Sequence, residues 1–180
     1  MSIGNRRAFD EALALQHATA LRYGVPYGLL IADVDHFKRY NDRYGHPAGD
    51  GVLAQVARLL RQTLRVVDGL YRYGGEEIAV LLPHQRGAGT LRAAERLRRC
   101  VEQAAIEHRD NDAGVVTLSF GAAVFDPQAH AGQPVVPQAV LRAADEALYQ
   151  AKRLGRNRVE MAPAAPADDR TAPPAPPAAG

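Results

Sequence analysis

Residues 72–83 read RYGGEEIAVLLP. Ile78-Ala79-Val80-Leu81-Leu82 is a continuous apolar run closed by Pro83, the pattern of a strand bound for a core. Two glycines and two carboxylates, Gly74, Gly75, Glu76 and Glu77, stand directly before it. The preceding GLYRY reads as a short strand, so Gly74-Gly75 marks a hairpin turn. A hairpin alone has no need of two carboxylates at the mouth of a buried strand.

The rest of the chain extends that hairpin into a sheet. YGLLIADVD, 27–35, follows Pro26 and reads as a mostly buried strand ending in Asp33 and Asp35. HFKRYNDRYG, 36–45, is polar and helix-like, stopped by Gly45. AGDGVLAQVARLLRQTLR, 48–65, is an amphipathic helix with Val52, Leu53, Val56, Leu59, Leu60 and Leu64 on one face. Asp50 lies near its start, where a carboxylate complements the helix dipole. Beyond the hairpin come a helix over 88–109, a strand over 114–125 with Gly121 inside it, a helix over 137–155, and a short strand in NRVEM. A further helix over 5–21 precedes all of these, with Phe9, Leu13 and Ala20 on one stripe.

The order after the entry helix is strand, helix pair, strand, strand, helix, strand, helix, strand. It contains a βαββαβ kernel, which gives an α+β fold class, the ferredoxin-like palm, with a central, mainly antiparallel sheet flanked by helices. In that arrangement the first and third strands are central neighbours. The carboxylates of Asp33, Asp35, Glu76 and Glu77 can then converge on one spot. Such hard oxygen ligands suit Mg²⁺ or Mn²⁺ when a substrate's phosphates complete the coordination shell. Either pair alone would also serve as caps or turn carboxylates.

Bulk composition excludes little else. The 180 residues carry a net charge of +2, which calls for neither nucleic acid nor a membrane surface. No apolar stretch is long enough to span a bilayer, and no signal peptide is visible at the start. The single Cys100 cannot form an intramolecular disulfide, which suits a reducing cytoplasm, the expected location. Residues 162–180, APAAPADDRTAPPAPPAAG, hold half of the chain's 12 prolines and no large apolar residue, so a disordered tail is expected there. Residues 1–161 are read as the single folded domain.

Three smaller groupings bear on ligands. Lys152 and Arg156 stand four apart at a helix end, as a dipole complement or as a clamp on terminal phosphates. Asn41 and Asp50 offer an amide and a carboxylate suited to a guanine edge, and each also suits a cap or a turn. Arg65 and Asp68 in RVVD are close enough for a local salt bridge, or form a fork for an anionic, guanine-bearing ligand.

Together these blocks resemble the GGDEF domains, diguanylate cyclases that condense two GTP into cyclic di-GMP. The resemblance runs from NRRAF at residue 5 to GRNRV at residue 159 and includes DVDHFKRYNDRYGHPAGDGVL, RYGGEEIAVLLP, VTLSFGAA and RAADEALYQAKRLGRNRV, in family order and spacing. It implies a signature at Gly74, Gly75, Glu76 and Glu77, with Glu76 and Glu77 catalytic. It implies metal ligands at Asp33, the carbonyl of Val34, Glu76 and Glu77, for two Mg²⁺ (or Mn²⁺) per half-site. Guanine readers fall on Asn41 and Asp50, and phosphate contacts on the backbone of His36, Phe37 and Lys38 and the side chains of Lys38, Lys152 and Arg156. An inhibitory product site falls on Arg65 and Asp68, with Arg96 on the following helix. The implied partners are GTP, cyclic di-GMP and a transient antiparallel homodimer. A non-catalytic module that binds cyclic di-GMP or GTP is the alternative. The sequence departs from the family's pattern at Ile78, usually Phe, and at MSIG, which stands where the family usually has Asp-x-Leu-Thr-Gly-Leu.

Overall fold

The computed structural model of the chain describes residues 3–130 and 134–163. The expected disordered tail lies, from residue 164 onward, outside the described residues. Among the described residues, five strands form one sheet: β1 (Tyr27–Val34), β2 (Gly69–Arg72), β3 (Glu77–Pro83), β4 (Leu118–Phe125) and β5 (Val159–Met161). Five helices among the described residues surround it: α1 (Arg6–Tyr23), α2 (Phe37–Tyr44), α3 (His46–Thr63), α4 (Gly87–Gln103) and α5 (Pro137–Arg153). The strand order is β2-β3-β1-β4-β5. Only the β4–β5 pair is parallel, so the sheet is mainly antiparallel, as the kernel predicts.

β1 is the central strand and all of its residues are buried, which explains its unbroken apolar sequence. Leu30, Ala32 and Val34 face a core built with α2, α3 and α4. Tyr27, Leu29 and Ile31 face a second core built with α1 and α5. Two packed faces give a three-layer domain. On the α1/α5 side, β4 and α5 come so close that a Cβ at Gly121 would run into the Ala144 carbonyl and the Leu148 N–H. That contact requires glycine inside an otherwise β-rich run.

Several boundaries differ from the sequence expectation. α3 starts at His46 because Pro47 takes a first-turn position, so Asp50 sits a turn inside the helix rather than at its start. α4 ends at Gln103, not 109. Ala105 turns left-handed (φ 49°), and the following residues form a small hairpin joined by a Glu107–Val115 bridge and turned at Gly114 (φ 70°). β4 therefore begins at Leu118 rather than 114. Arg156 lies beyond the end of α5 in a left-handed turn, so Lys152 and Arg156 do not share a helix face as their spacing suggests.

At the amino end, Asn5 caps α1 by accepting from the Ala8 N–H at 2.9 Å. Gly4 pairs alongside β2: its N–H donates to the Leu70 carbonyl at 3.1 Å and its carbonyl accepts from the Arg72 N–H at 2.7 Å. Gly4 thus extends the hairpin that carries the glycine and glutamate pair. Arg6 then lies over the Tyr73 ring at 4.0 Å, tying α1 to the same turn.

Candidate active site

The register of the two central strands brings the acidic residues together. Asp33 on β1 lies directly opposite Glu77 on β3. Glu76 precedes it in the turn. Lys152, on the last turn of α5, reaches down to Asp33 with Nζ 2.9 Å from Oδ2. Burial above all, with Glu76 and Glu77 nearby and against the pull of Lys152, brings the Asp33 carboxyl up to about 6. Glu77 also stands close to Asp145 on α5. Asp145 is raised by burial and by the Glu77 charge, with Arg6 opposing.

The turn itself is tightly organised. The Glu77 carbonyl accepts from the N–H groups of Tyr73 (2.9 Å) and Gly74 (3.2 Å). Arg72 folds back over the turn and donates to the Gly75 carbonyl at 2.8 Å. The two glycines differ in kind. A Cβ on Gly74 would strike the Glu77 carboxylate, whereas one on Gly75 would meet nothing within 4 Å. Gly75 instead borders a cavity of about 660 Å³ lined also by Asp50, Leu53, Arg72, Glu76, Glu77 and Ile78. Asn41 on α2 packs against Gly49, one residue before Asp50, and its Oδ1 is buried without a hydrogen-bond partner. Gly49 makes room for that amide, since a Cβ there would collide with it.

Val34 closes β1, and His36, at φ 57°, turns the chain into α2. The N–H groups of Phe37, Lys38 and Arg39 occupy the first turn of that helix, where no intrahelical acceptor exists, an arrangement that suits an anion. The His36 imidazole is held below its usual range by burial first and then by the Arg156 and Arg39 guanidinium groups. The neighbouring Asn157 N–H donates to Asp35 Oδ2 at 3.0 Å, which brings the Arg156 backbone next to the turn that starts α2.

Asp35 departs from the sequence expectation. Although its spacing from Asp33 suggests a second site carboxylate, it is buried and accepts from Thr117 Oγ1 (2.7 Å), Ser119 Oγ (2.6 Å) and the Asn157 N–H (3.0 Å). β1 ends at Val34, so strand periodicity no longer governs Asp35. Asn157 and Arg72 were not singled out from sequence. The available signal for Asn157 is its type, since Asn tolerates the left-handed region and stands two residues after Gly155.

Among the described residues, no three His, Cys, Asp or Glu side chains are grouped as a self-sufficient metal cage. Mg²⁺ does not need one when waters and substrate phosphates supply most of its six positions. Asp33 and Glu77 face each other across the sheet with Glu76 beside them in the turn, and Lys152 pairs with Asp33; hard carboxylate oxygens of this kind fit a divalent cation whose other positions are filled by water or phosphate oxygens.

On the opposite side of the hairpin, Arg65, Asp68 and Arg96 line one small cavity of about 60 Å³, together with Arg92. Asp68 is buried and accepts the backbone N–H of Arg65 at 2.9 Å. The two side chains do not form the local salt bridge that their spacing allows, and Arg65 is exposed.

The sequence matches the family described as "Diguanylate cyclase, GGDEF domain" over residues 2–158. The chain belongs to the GGDEF family. It is 40% identical over 157 residues to the diguanylate cyclase DosC of Escherichia coli K12, covering 87% of this chain and 33% of DosC. This GGDEF domain thus spans about a third of the length of that curated relative. Among solved structures, the GGDEF domain of DgcB from Caulobacter crescentus, in complex with c-di-GMP, superimposes with a TM-score of 0.79 at 34% identity, covering 89% of each chain. The active GGEEF domain of a diguanylate cyclase from Vibrio cholerae gives 0.76 at 30% identity, covering 90% of this chain and 99% of that one.

Proposed function

We propose that this GGDEF domain is a diguanylate cyclase that joins two GTP into cyclic di-GMP and releases pyrophosphate. The observation that carries this is the opposition of Asp33 and Glu77 across β1 and β3, where Glu77 lines a cavity together with Glu76, Gly75 and Asp50. The family match and the names of its relatives support it.

Asn41 and Asp50 read the guanine edge, the carboxylate accepting from its N–H donors. Gly75 leaves room for the nucleotide beside the turn. The amino end of α2, with Lys38, Lys152 and Arg156, neutralises the β- and γ-phosphates. Asp33, the Val34 carbonyl, Glu76 and Glu77 would hold Mg²⁺ or Mn²⁺, two per half-site, which supplies charge stabilisation at the reacting phosphate. Glu77 accepts the proton of the attacking 3′-hydroxyl, whose oxygen bonds to the α-phosphorus of the facing GTP as pyrophosphate leaves. Each domain holds one GTP, so the working species is an antiparallel homodimer. Product bound at Arg65, Asp68 and Arg96 slows turnover.

The test is incubation with GTP and Mg²⁺ at high protein concentration, following pyrophosphate. Release by the wild type and its loss in Glu77→Gln are expected. Absence of release overturns the proposal. Full activity in Glu77→Gln overturns the role given to that residue.

A further inference from the structure

The turn that carries Arg156 is held in an unusual backbone state. Gly155 (φ 116°), Arg156 (φ 63°) and Asn157 (φ 44°) are all left-handed in succession, and two of the three are not glycine. Residues with a Cβ adopt that region sparingly and stay there only where their surroundings hold them. Asn157 supplies the hold. Its backbone N–H donates to Asp35 Oδ2 at 3.0 Å, and its Nδ2 donates to Glu102 Oε1 at 2.6 Å. Its Oδ1 accepts from Arg98 Nη1 at 2.7 Å. Arg98 is itself fixed by Glu95 at 3.0 Å and Glu102 at 2.9 Å. A carboxylate on one side and a guanidinium on the other leave a single sensible orientation for the amide.

The other end of this strut is the phosphate-binding turn. Asp35 directly precedes His36, the left-handed residue that starts α2. Thr117 and Ser119 of the β4 segment hold the Asp35 carboxylate from below. The His36 carbonyl accepts from His108 Nε2 at 3.2 Å as well as from the Tyr40 N–H at 3.1 Å. Two left-handed turns from distant parts of the chain, 36 and 155–157, are thereby joined through one carboxylate. No carboxylate pairs with Arg156 among the described residues, and the residue is exposed.

We propose that Asn157 is a positioning residue for phosphate binding: tied to Asp35, Arg98 and Glu102, it fixes Arg156 opposite the amino end of α2, so that both close on the same terminal phosphates. This rests on the GTP-binding role proposed for the site. Asn157 touches no substrate; it acts through Arg156.

The experiment exploits the polarity of the amide. Asn157→Asp keeps the backbone donor and the acceptor for Arg98 but sets a carboxylate against Glu102. Adding Glu102→Gln restores a donor–acceptor pair with its direction reversed. Affinities for GTP and for GMP, which lacks the terminal phosphates, are measured by calorimetry with Mg²⁺ on the full chain. Asn157→Asp is expected to weaken GTP by about tenfold or more, the scale of a lost charge-assisted phosphate contact, with GMP unchanged. The double variant is expected to return GTP affinity toward that of the wild type. Asn157→Gly, which suits the left-handed backbone and keeps the fold, is expected to show the same GTP-selective loss. The inference is overturned if Asn157→Asp and Asn157→Gly bind GTP as the wild type does, if GTP and GMP weaken equally, or if Glu102→Gln gives no rescue. If the wild type binds GTP no more tightly than GMP, the GTP-binding role itself falls, and the inference falls with it.

Discussion

Replacing Gly75 by alanine separates two reasons for a glycine in the signature turn. Gly75 does not occupy the left-handed region, and a Cβ built on it meets no heavy atom within 4 Å. The free protein therefore has no steric objection to alanine. Restricting the unfolded chain should instead stabilise it by about 0.4–1 kcal/mol, a rise in melting temperature of roughly 1–4 °C for a domain of this size. The same methyl borders the cavity of about 660 Å³ proposed to receive the nucleotide. Forcing a methyl into a filled contact costs about 1–3 kcal/mol, or roughly 5- to 150-fold in affinity. Thermal melts should show Gly75→Ala equal to or above the wild type, and calorimetry with a non-hydrolysable GTP analogue should show binding weakened on that scale. A large fall in melting temperature would refute the backbone reasoning. Undiminished analogue binding would refute the claim that the nucleotide lies against Gly75.

Three other outcomes follow from different parts of the molecule. Gly121→Ala should destabilise by about 3 kcal/mol or more, because the added Cβ meets α5 backbone, including Leu148 Cα at 2.8 Å, that has no rotamer to yield; a melting temperature near that of the wild type would contradict it. His17 is buried and neutral between the Tyr27 hydroxyl (3.0 Å) and the Val135 carbonyl (2.7 Å), and burial lowers its pKa despite the latter bond. Its folded value lies below the unfolded 6.5, so its contribution to stability is present above pH 6.5 and is lost as pH falls below it. Asp33, raised to about 6 by burial, shifts stability in the opposite direction over roughly the same range. Melts of wild type against His17→Phe between pH 7.5 and 5 isolate the histidine: only the wild type should lose the His17-dependent part on acidification. Finally, Arg65→Ala should weaken cyclic di-GMP binding while leaving the melting temperature within a few degrees, since the Arg65 side chain is exposed and Asp68 is held by its backbone; unchanged binding would exclude the proposed inhibitory cleft.

Much of this was legible in the residues themselves. The unbroken apolar run of β1, the glycine pair and the amphipathic spacing of α3 identify the palm and bring the carboxylates at the end of β1 toward those before β3; the register that sets Asp33 opposite Glu77 comes from the structure. What escaped was decided by contacts distant in sequence. Asp35 alternates correctly with Asp33, yet β1 ends before it, and Thr117, Ser119 and Asn157 claim its carboxylate. The helical pattern of α4 continues past Gln103 in sequence, but Ala105 turns left-handed and the segment pairs as a hairpin instead. Lys152 and Arg156 have helical spacing, and the helix ends between them. The Arg65–Asp68 spacing allows a salt bridge, but burial of Asp68 against the Arg65 backbone leaves that arginine free of it.

The most direct test of the central claim is the product itself. Purified protein, GTP and Mg²⁺ are incubated and cyclic di-GMP is quantified by chromatography, alongside Asp33→Asn and Glu77→Gln. Formation of cyclic di-GMP by the wild type, with both variants reduced at least about a hundredfold, on the scale of losing a general base or a metal ligand, is the predicted result. A wild-type protein that binds GTP tightly yet forms no cyclic di-GMP at any protein concentration would contradict it.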